Sequence, residues 1–330
     1  MQPQPFSALS ESLRKRVPFE LNPTNLSGVF TTPAPAHEFD PYRASVAALI
    51  RNGVMWRRPL PGDSLHLIRA WDRVFSRKWL PGDRIAPVLE PQKGTSHALL
   101  GLSGDGGTYT SRNWSGAVIQ GQWTTVVGSW LLPAAEPSGG THGSREIRSS
   151  SCWVGIDGFS SDDALKAGVQ RRVDSTGRAE FVAWCEWYAP PQPDSPAYIW
   201  QTDIRNFALR PGQRVYCSVQ YISNKSAGHL CFANDSTGQH VSITMAPPPG
   251  AAAAGDSIEW IAEAAADGEE AGESLAGVPP ARFSTALGCS ADGQRVGLPQ
   301  NGDRIHIGIQ SRTVTSVEIS EDAVTVIFVG

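Results

Sequence analysis

The sequence predicts an all-β protein, a large antiparallel β-sandwich that carries an N-terminal helical and Pro-rich extension. Three observations lead there. From Asn113 to Gly330 short apolar runs alternate with Gly, Asp, Asn and Pro clusters, the texture of strands and turns. Helical periodicity is nearly absent over the same stretch. The runs, from "GAVIQG" through "EFVAWCEWYA" to "AVTVIFVG", each suit a strand of about four to nine residues, and roughly ten to fourteen strands are expected.

The elements follow in chain order. Residues 1–40 are Pro-rich and aperiodic. "DPYRASVAALIRNGV" reads as a helix capped by Asp40, with Pro41 at its first position and Val46, Leu49 and Ile50 on one face. "GDSLHLIRAWDRVFSRKWLPG" reads as a second helix, with Leu65, Ile68, Trp71, Val74 and Phe75 at helical spacing and a stop at Pro81-Gly82. Faces this amphipathic must pack on something, and Trp71 and Phe75 are long enough to reach the sandwich. "LSGDGGTYTS" (102–111) reads as a linker, which divides the chain into an extension, 1–110, and a sandwich, 111–330. "GAAAAGDS" (250–257) and "AAADGEEAGESLAG" (264–277) are of low complexity and are expected to be exposed loops.

Composition narrows the function classes. The net charge of the 330 residues is −4, with 28 Lys+Arg and 32 Asp+Glu. Residues 1–110 hold 13 of the basic and 9 of the acidic side chains, the rest 15 and 23, so the body is acidic. That argues against a nucleic-acid partner. No apolar run is long enough to predict a membrane span. "MQPQPFSALSESLRKRVPFE" has no apolar core after its charges, so no secretory signal is expected and a cytoplasmic location is the default. The five cysteines form no CxxC pair, the seven histidines form no HExxH, and the acidic loops lack calcium-loop spacing. No metal and no cofactor are expected. The cysteines lie in apolar strand sequence and are expected to be buried free thiols.

Four stretches in order resemble the glutamic peptidases, the eqolisin family. They are "RNWSGAVI" (112–119), "WVGIDG" (153–158), "AWCEWYAP" (183–190) and "IEWIAEA" (258–264), and the final "VTVIFVG" is similar to that family's last strand. The resemblance covers about residues 110–330 and implies a concanavalin-like two-sheet sandwich with a substrate groove on one concave face. It also implies a catalytic pair, a glutamate that activates water and a glutamine whose amide stabilises the oxyanion. The glutamate matches Glu263. The glutamine position is occupied by Lys166. The resemblance further places Trp114 and Trp153 on the groove floor, Glu186 and Tyr188 along the groove, and Asp157 beside the glutamine position. Core packing for the tryptophans and turn chemistry for Asp157, which lies between Gly155-Ile156 and Gly158, remain open alternatives.

The residues themselves make the site chemically reasonable. Hydrolysis by a lone carboxylate needs a base for water, a donor for the oxyanion, and a groove that holds the peptide extended. Glu259, Ile261 and Glu263 share one strand face, with Trp260 and Ala262 on the other. Two glutamates on one face suggest a wet or groove-lining surface. Lys166 and Gln170 share a face too, roughly 13 Å apart along a strand, so Gln170 would replace a glutamine at position 166 only if the strand slipped. An ammonium beside a carboxylate favours its charged form. If Lys166 faces Glu263, it either donates to the oxyanion or ties the carboxylate up in an ion pair; otherwise it points to solvent from an edge strand. The expected function is a glutamic-type endopeptidase acting through Glu263 with help from Lys166, on a polypeptide substrate. The alternative is a catalytically inactive member that binds extended peptide or glycan in an aromatic groove.

Overall fold

The computed structural model describes residues 13, 15, 17–92, 99, 101–133, 148–174, 178–190, 199–222, 224–264, 279–310 and 312–329. Fourteen strands build the sandwich: β1 (Trp114–Gln120), β2 (Thr125–Leu131), β3 (Arg148–Ile156), β4 (Ala164–Val173), β5 (Ala179–Tyr188), β6 (Ile199–Ile204), β7 (Arg214–Ile222), β8 (Ala227–Asn234), β9 (His240–Met245), β10 (Ser257–Ala264), β11 (Ala281–Cys289), β12 (Asp303–Ile309), β13 (Thr315–Ser320) and β14 (Ala323–Phe328). One sheet runs β6-β5-β4-β3-β10-β1-β12 and the other β9-β8-β7-β2-β11-β14-β13. Short strands extend both sheets at their ends. Nearly all pairings are antiparallel; Thr108–Ser111 lies parallel to β12. This is the two-sheet sandwich that the alternating pattern predicts.

Period-two alternation sends one side of each sheet inward. Leu165, Ala167 and Val169 of β4, Ala183, Cys185 and Trp187 of β5, and Ile258, Trp260 and Ala262 of β10 meet Val215, Cys217, Val219 and Tyr221 of β7 and Leu230 and Phe232 of β8 in one core. Trp260 crosses this core and donates its indole N–H to Val127 O at 2.7 Å. A Cβ on Gly128 would lie 3.2 Å from the same indole, so the missing side chain makes room for it. The five cysteines are free; Cys185 and Cys217 are buried and the other three half-buried.

The N-terminal segment packs on the outside of the second sheet. Helix α1 spans Val46–Arg51 and α2 spans Leu65–Phe75. Ser45, not Asp40, caps α1, its Oγ accepting from Ala48 N. Asp40 instead closes the preceding turn by accepting from the amides of Tyr42 and Arg43. Leu67, Ala70, Trp71 and Phe75 form the buried face of α2, against Val127, Tyr216 and Leu287 of the sandwich. Leu65 stays exposed.

Two loop expectations change. Residues 103–105 and 108–111 pair as a hairpin on β12, so the stretch read as a linker is part of the sheet edge. Its Gly-rich sequence hides this because the pairing surface is supplied by β12. The turn before β10 is not an exposed loop either: Ala253, Gly255 and Ser257 are buried, and the amides of Ala253, Gly255 and Asp256 are all taken by aspartates. The other low-complexity segment, apart from Ala264 at the end of β10, lies outside the described residues.

Candidate active site

The outward face of β1, β10, β3, β4 and β5 carries the site residues in three cross-strand rows. The first row is Trp114, Glu263, Ser151 and Gln170; the second is Ile261, Trp153, Gly168 and Trp184; the third is Glu259, Gly155, Lys166 and Glu186. The pairing brings Gln170 into the row of Glu263, two strands away, with no slip of β4. The sequence reading allows Lys166 to face Glu263 directly. Lys166 lies instead in register with Glu259 and Glu186.

This face is not wet. Glu259, Ile261, Lys166, Glu186, Trp114, Trp153 and Trp184 are all 0 % exposed and Glu263 is 3 % exposed. The indoles of Trp114, Trp153 and Trp184 pack with Ile261 and cover the sheet. The two glycines make this possible. A Cβ on Gly168 would sit 2.4 Å from Trp153 Cβ, and one on Gly155 would sit 2.8 Å from Lys166 Cγ and 2.9 Å from Trp153 Cζ3.

Glu263 is held by neutral donors. Trp153 Nε1 donates to Oε2 at 2.7 Å and Asn113 Nδ2 donates to Oε1 at 3.1 Å. Ser111 Oγ donates to Asn113 Oδ1 at 3.1 Å, which turns the amide nitrogen towards Glu263. These contacts orient the carboxylate.

Lys166 Nζ is 3.2 Å from Glu186 Oε2, in an ion pair with almost no exposure. The ammonium also faces three rings, Trp153 at 5.4 Å, Trp114 at 5.5 Å and Tyr188 at 5.9 Å from the centroids. Beyond Gly155, neither oxygen of Glu259 has a hydrogen-bond partner. Burial pushes the Glu259 carboxyl well above the usual range, Asp157 and Asp256 push it further, and the Ser257 side chain and, less, Lys166 pull it down only in part. A protonated Glu259 leaves the third row with one ammonium and one carboxylate, which balances its charge.

Gln170 has a fixed orientation. Its Oε1 accepts from Arg172 Nε at 2.8 Å and from Gln201 Nε2 at 3.0 Å. A guanidinium can only donate, so the oxygen must face it and the NH2 must face away. Gln170 Nε2 makes no hydrogen bond to a described residue, and the residue is 6 % exposed. Asp203 anchors Arg172 by an ion pair at 2.8 Å and accepts from Gln201 and Gln92. Between Gln170 and Glu263, Ser151 Oγ is buried and without a partner.

Asp157 is spent on architecture. It adopts φ 69°, a conformation Asp tolerates in turns, and accepts from Gly255 N (2.9 Å), Asp256 N (2.7 Å) and Tyr221 Oη (2.9 Å). Burial raises its carboxyl to about 6. No group of His, Cys, Asp and Glu with metal-site geometry exists among the described residues. Asn113, Ser151 and the Arg172–Gln201–Asp203 cluster were not singled out in the sequence. Asn113 adjoins Trp114 in the first motif, but nothing in the sequence signals that Ser151 and Gln201 converge on this face.

The profile of the Peptidase A4 family matches residues 112–328. The chain belongs to the Peptidase A4 family. These are the glutamic peptidases that the four motifs resemble. This A4 member is 30 % identical to Aspergillopepsin-2 of Aspergillus niger over 255 residues, which is 72 % of this chain and 84 % of that protein. It is 29 % identical to Scytalidopepsin B of Scytalidium lignicola over 223 residues, 66 % of this chain and 78 % of that one. Among solved structures, scytalido-glutamic peptidase with a transition state analog inhibitor superposes with a TM-score of 0.51 at 24 % identity, covering 66 % of this chain and 98 % of that chain. The same peptidase with a peptide based transition state analog gives 0.50 at 23 % identity over the same shares. These superpositions establish the sandwich as the A4 fold. No helix among the described residues is long and apolar enough to cross a membrane.

Proposed function

We propose that this A4-family chain is a glutamic-type endopeptidase in which Glu263 is the general base and the Gln170 amide meets the oxyanion. The observation that carries the reading is the row Glu263–Ser151–Gln170, in which Trp153 and Asn113 orient the carboxylate and the Gln170 NH2 is turned away from Arg172 and has no partner among the described residues. Two strand spacings separate the Cα atoms by roughly 9–10 Å. Ser151, the residue between them, is small and puts no bulky side chain in the row. The substrate is an extended polypeptide, in keeping with the inhibitors carried by the solved relative.

In this reading a water donates one proton to Glu263 as its oxygen bonds to the scissile carbonyl carbon. The carbonyl oxygen becomes an oxyanion that accepts from Gln170 Nε2–H. The intermediate then expels the amine, which takes the proton back from Glu263 as the C–N bond breaks. Lys166, expected from the sequence to donate to the oxyanion, has a different role here. Its ion pair with Glu186 and its ring contacts brace Trp153 and Trp114, so it is a positioning residue.

The test is cleavage of an unstructured protein by the intact chain between about pH 2 and pH 8, with Glu263→Gln, Gln170→Leu and Lys166→Gln alongside. Glu263→Gln should abolish turnover. Gln170→Leu should lower kcat about 10²- to 10³-fold with little change in KM. A Lys166→Gln loss larger than that of Gln170→Leu would return the oxyanion role to position 166. A silent parent that still retains extended peptide would favour the binding alternative.

A further inference from the structure

On the far side of the sandwich, away from the Glu263 sheet, a cavity of about 320 Å³ separates the N-terminal segment from the outer face of β7, β8 and β9. One wall is Trp56, the C-terminal end of α2 with Arg73 and Phe75, then Arg77, Trp79 and Arg84. The other is Tyr216, Cys231, His240 and their neighbours. Its volume lies in the range of small-molecule sites.

The walls are aromatic and tightly set. Trp56 stands edge-on to Phe75 and to Tyr216, each at 6.0 Å, and Trp79 lies against the His240 ring at 4.5 Å. The polar groups are the unusual part. Arg84 is 9 % exposed and has no acidic partner among the described residues. Its NH2 donates to Asn52 O at 2.8 Å, NH1 reaches only Thr32 O and Ser242 Oγ at 3.4 Å, and its guanidinium carbon is 5.3 Å from the Trp79 ring centroid. Among the described residues Arg84 Nε has no hydrogen-bond partner, and neither do Trp56 Nε1, Tyr216 Oη and His240 Nε2. All four residues are nine-tenths buried or more.

Buried donors without acceptors are rare, and four orphaned polar groups around one void are rarer. The charge points the same way. The lining holds Arg73, Arg77 and Arg84 against Asp235, and burial keeps His240 neutral. His240 Nδ1 faces Gly238 O at 3.4 Å and so carries the proton, which leaves Nε2 an acceptor. The lining therefore offers a cation and N–H donors for an anion, flat aromatic walls for a planar body, and one acceptor for a ligand hydroxyl.

We propose that this cavity is a binding site for a small planar aromatic carboxylate bearing a hydroxyl, with Arg84 and Trp56 meeting the carboxylate and His240 accepting from the hydroxyl. Because Trp56, Trp79 and Arg84 belong to the N-terminal segment and Tyr216 and His240 to the sandwich, the ligand ties the two together. The site owes nothing to Glu263 and stands whether or not the chain is a peptidase.

Titration calorimetry of the intact chain with para-hydroxybenzoate and with its neutral isostere para-hydroxybenzamide tests it. The acid should bind at least about tenfold more tightly than the amide, as expected for loss of a charge-assisted contact. Arg84→Gln should weaken the acid by about the same factor and leave the amide unchanged. Trp56→Phe, which keeps the ring and removes the N–H, should weaken it several-fold, and Glu263→Gln should have no effect. Binding of the acid should also raise the Tm of the parent. Equal affinity for acid and amide, absence of binding to the unaltered chain at millimolar ligand, or loss of binding in Glu263→Gln would each overturn the proposal. The first two readouts need no variant, so a folding failure of Arg84→Gln leaves the test intact.

Discussion

Trp153 donates its indole N–H to Glu263 at 2.7 Å while the face of the same ring is turned to Lys166 Nζ, 5.4 Å from its centroid. One side chain thus couples the first row to the third. Trp153→Phe keeps an aromatic filler and removes only the donor. It should lower kcat about tenfold to a hundredfold, the cost of a base no longer held in line, with KM changed much less. Steady-state cleavage with far-UV circular dichroism as a fold control measures it. An unchanged kcat would separate Trp153 from the chemistry.

The buried Lys166–Glu186 pair makes a thermodynamic prediction. Breaking a buried pair from one side strands a charge, whereas replacing both partners by apolar groups does not. Lys166→Met alone should cost about 3–5 kcal/mol in urea unfolding, and the Lys166→Met/Glu186→Leu double variant should recover most of that. Additive losses in the double-mutant cycle would show that the two side chains are not energetically coupled.

Glu259 predicts a pH dependence with a definite sign. Its folded-state affinity for a proton is raised by burial, so above its ordinary range the native chain keeps a proton that the unfolded chain has released. Stability therefore falls as pH rises through that window, by up to about 1.4 kcal/mol per pH unit. Asp157, raised to about 6, acts in the same direction between its ordinary value and 6. His229, lowered to about 4, and His240, lowered to about 3, act oppositely, losing stability as pH falls from their ordinary 6.5. Glu259→Gln removes only the first contribution. The variant should gain stability over the parent at pH 7 and converge with it near pH 4. A difference in unfolding free energy that is flat with pH would contradict the protonated assignment.

The docking of α2 gives a further test. Trp71 is 2 % exposed and lies in the cluster that joins the helix to Val127, Tyr216 and Leu287. Trp71→Ala should destabilise the whole chain by about 3–5 kcal/mol in a single transition, because the void opens against the sandwich itself. A separate early transition would mean that the N-terminal segment melts independently.

Legibility differed by element for physical reasons. Period-two alternation and turn residues exposed the sandwich, and the motif around "IEWIAE" put Glu263 on a face with Glu259. The dryness of that face was not readable, because it depends on three indoles from three strands meeting over Gly155 and Gly168. The partner of Lys166 was not readable either. Side-chain parity on β4 and β10 is local, but register between them passes through β3, and only the pairing shows that Ser151 aligns Gln170 with Glu263. The amphipathic face of α2 announced that it docks, and the surface it docks on came from strands more than fifty residues away.

The short N-terminal strands have a consequence for solubility. Val29–Thr31 pairs with β9 and Leu89–Pro91 with β6, so the N-terminal segment supplies the outermost strands at one end of both sheets. Asn22–Pro23 and Leu89–Pro91 each end on a proline, which has no N–H to offer a neighbour. Without them, β6 and β9 would present unpaired backbone donors and acceptors to the solvent, a template on which further chains could stack. The segment outside the family match therefore covers one edge of each sheet, the kind of edge on which self-association can start.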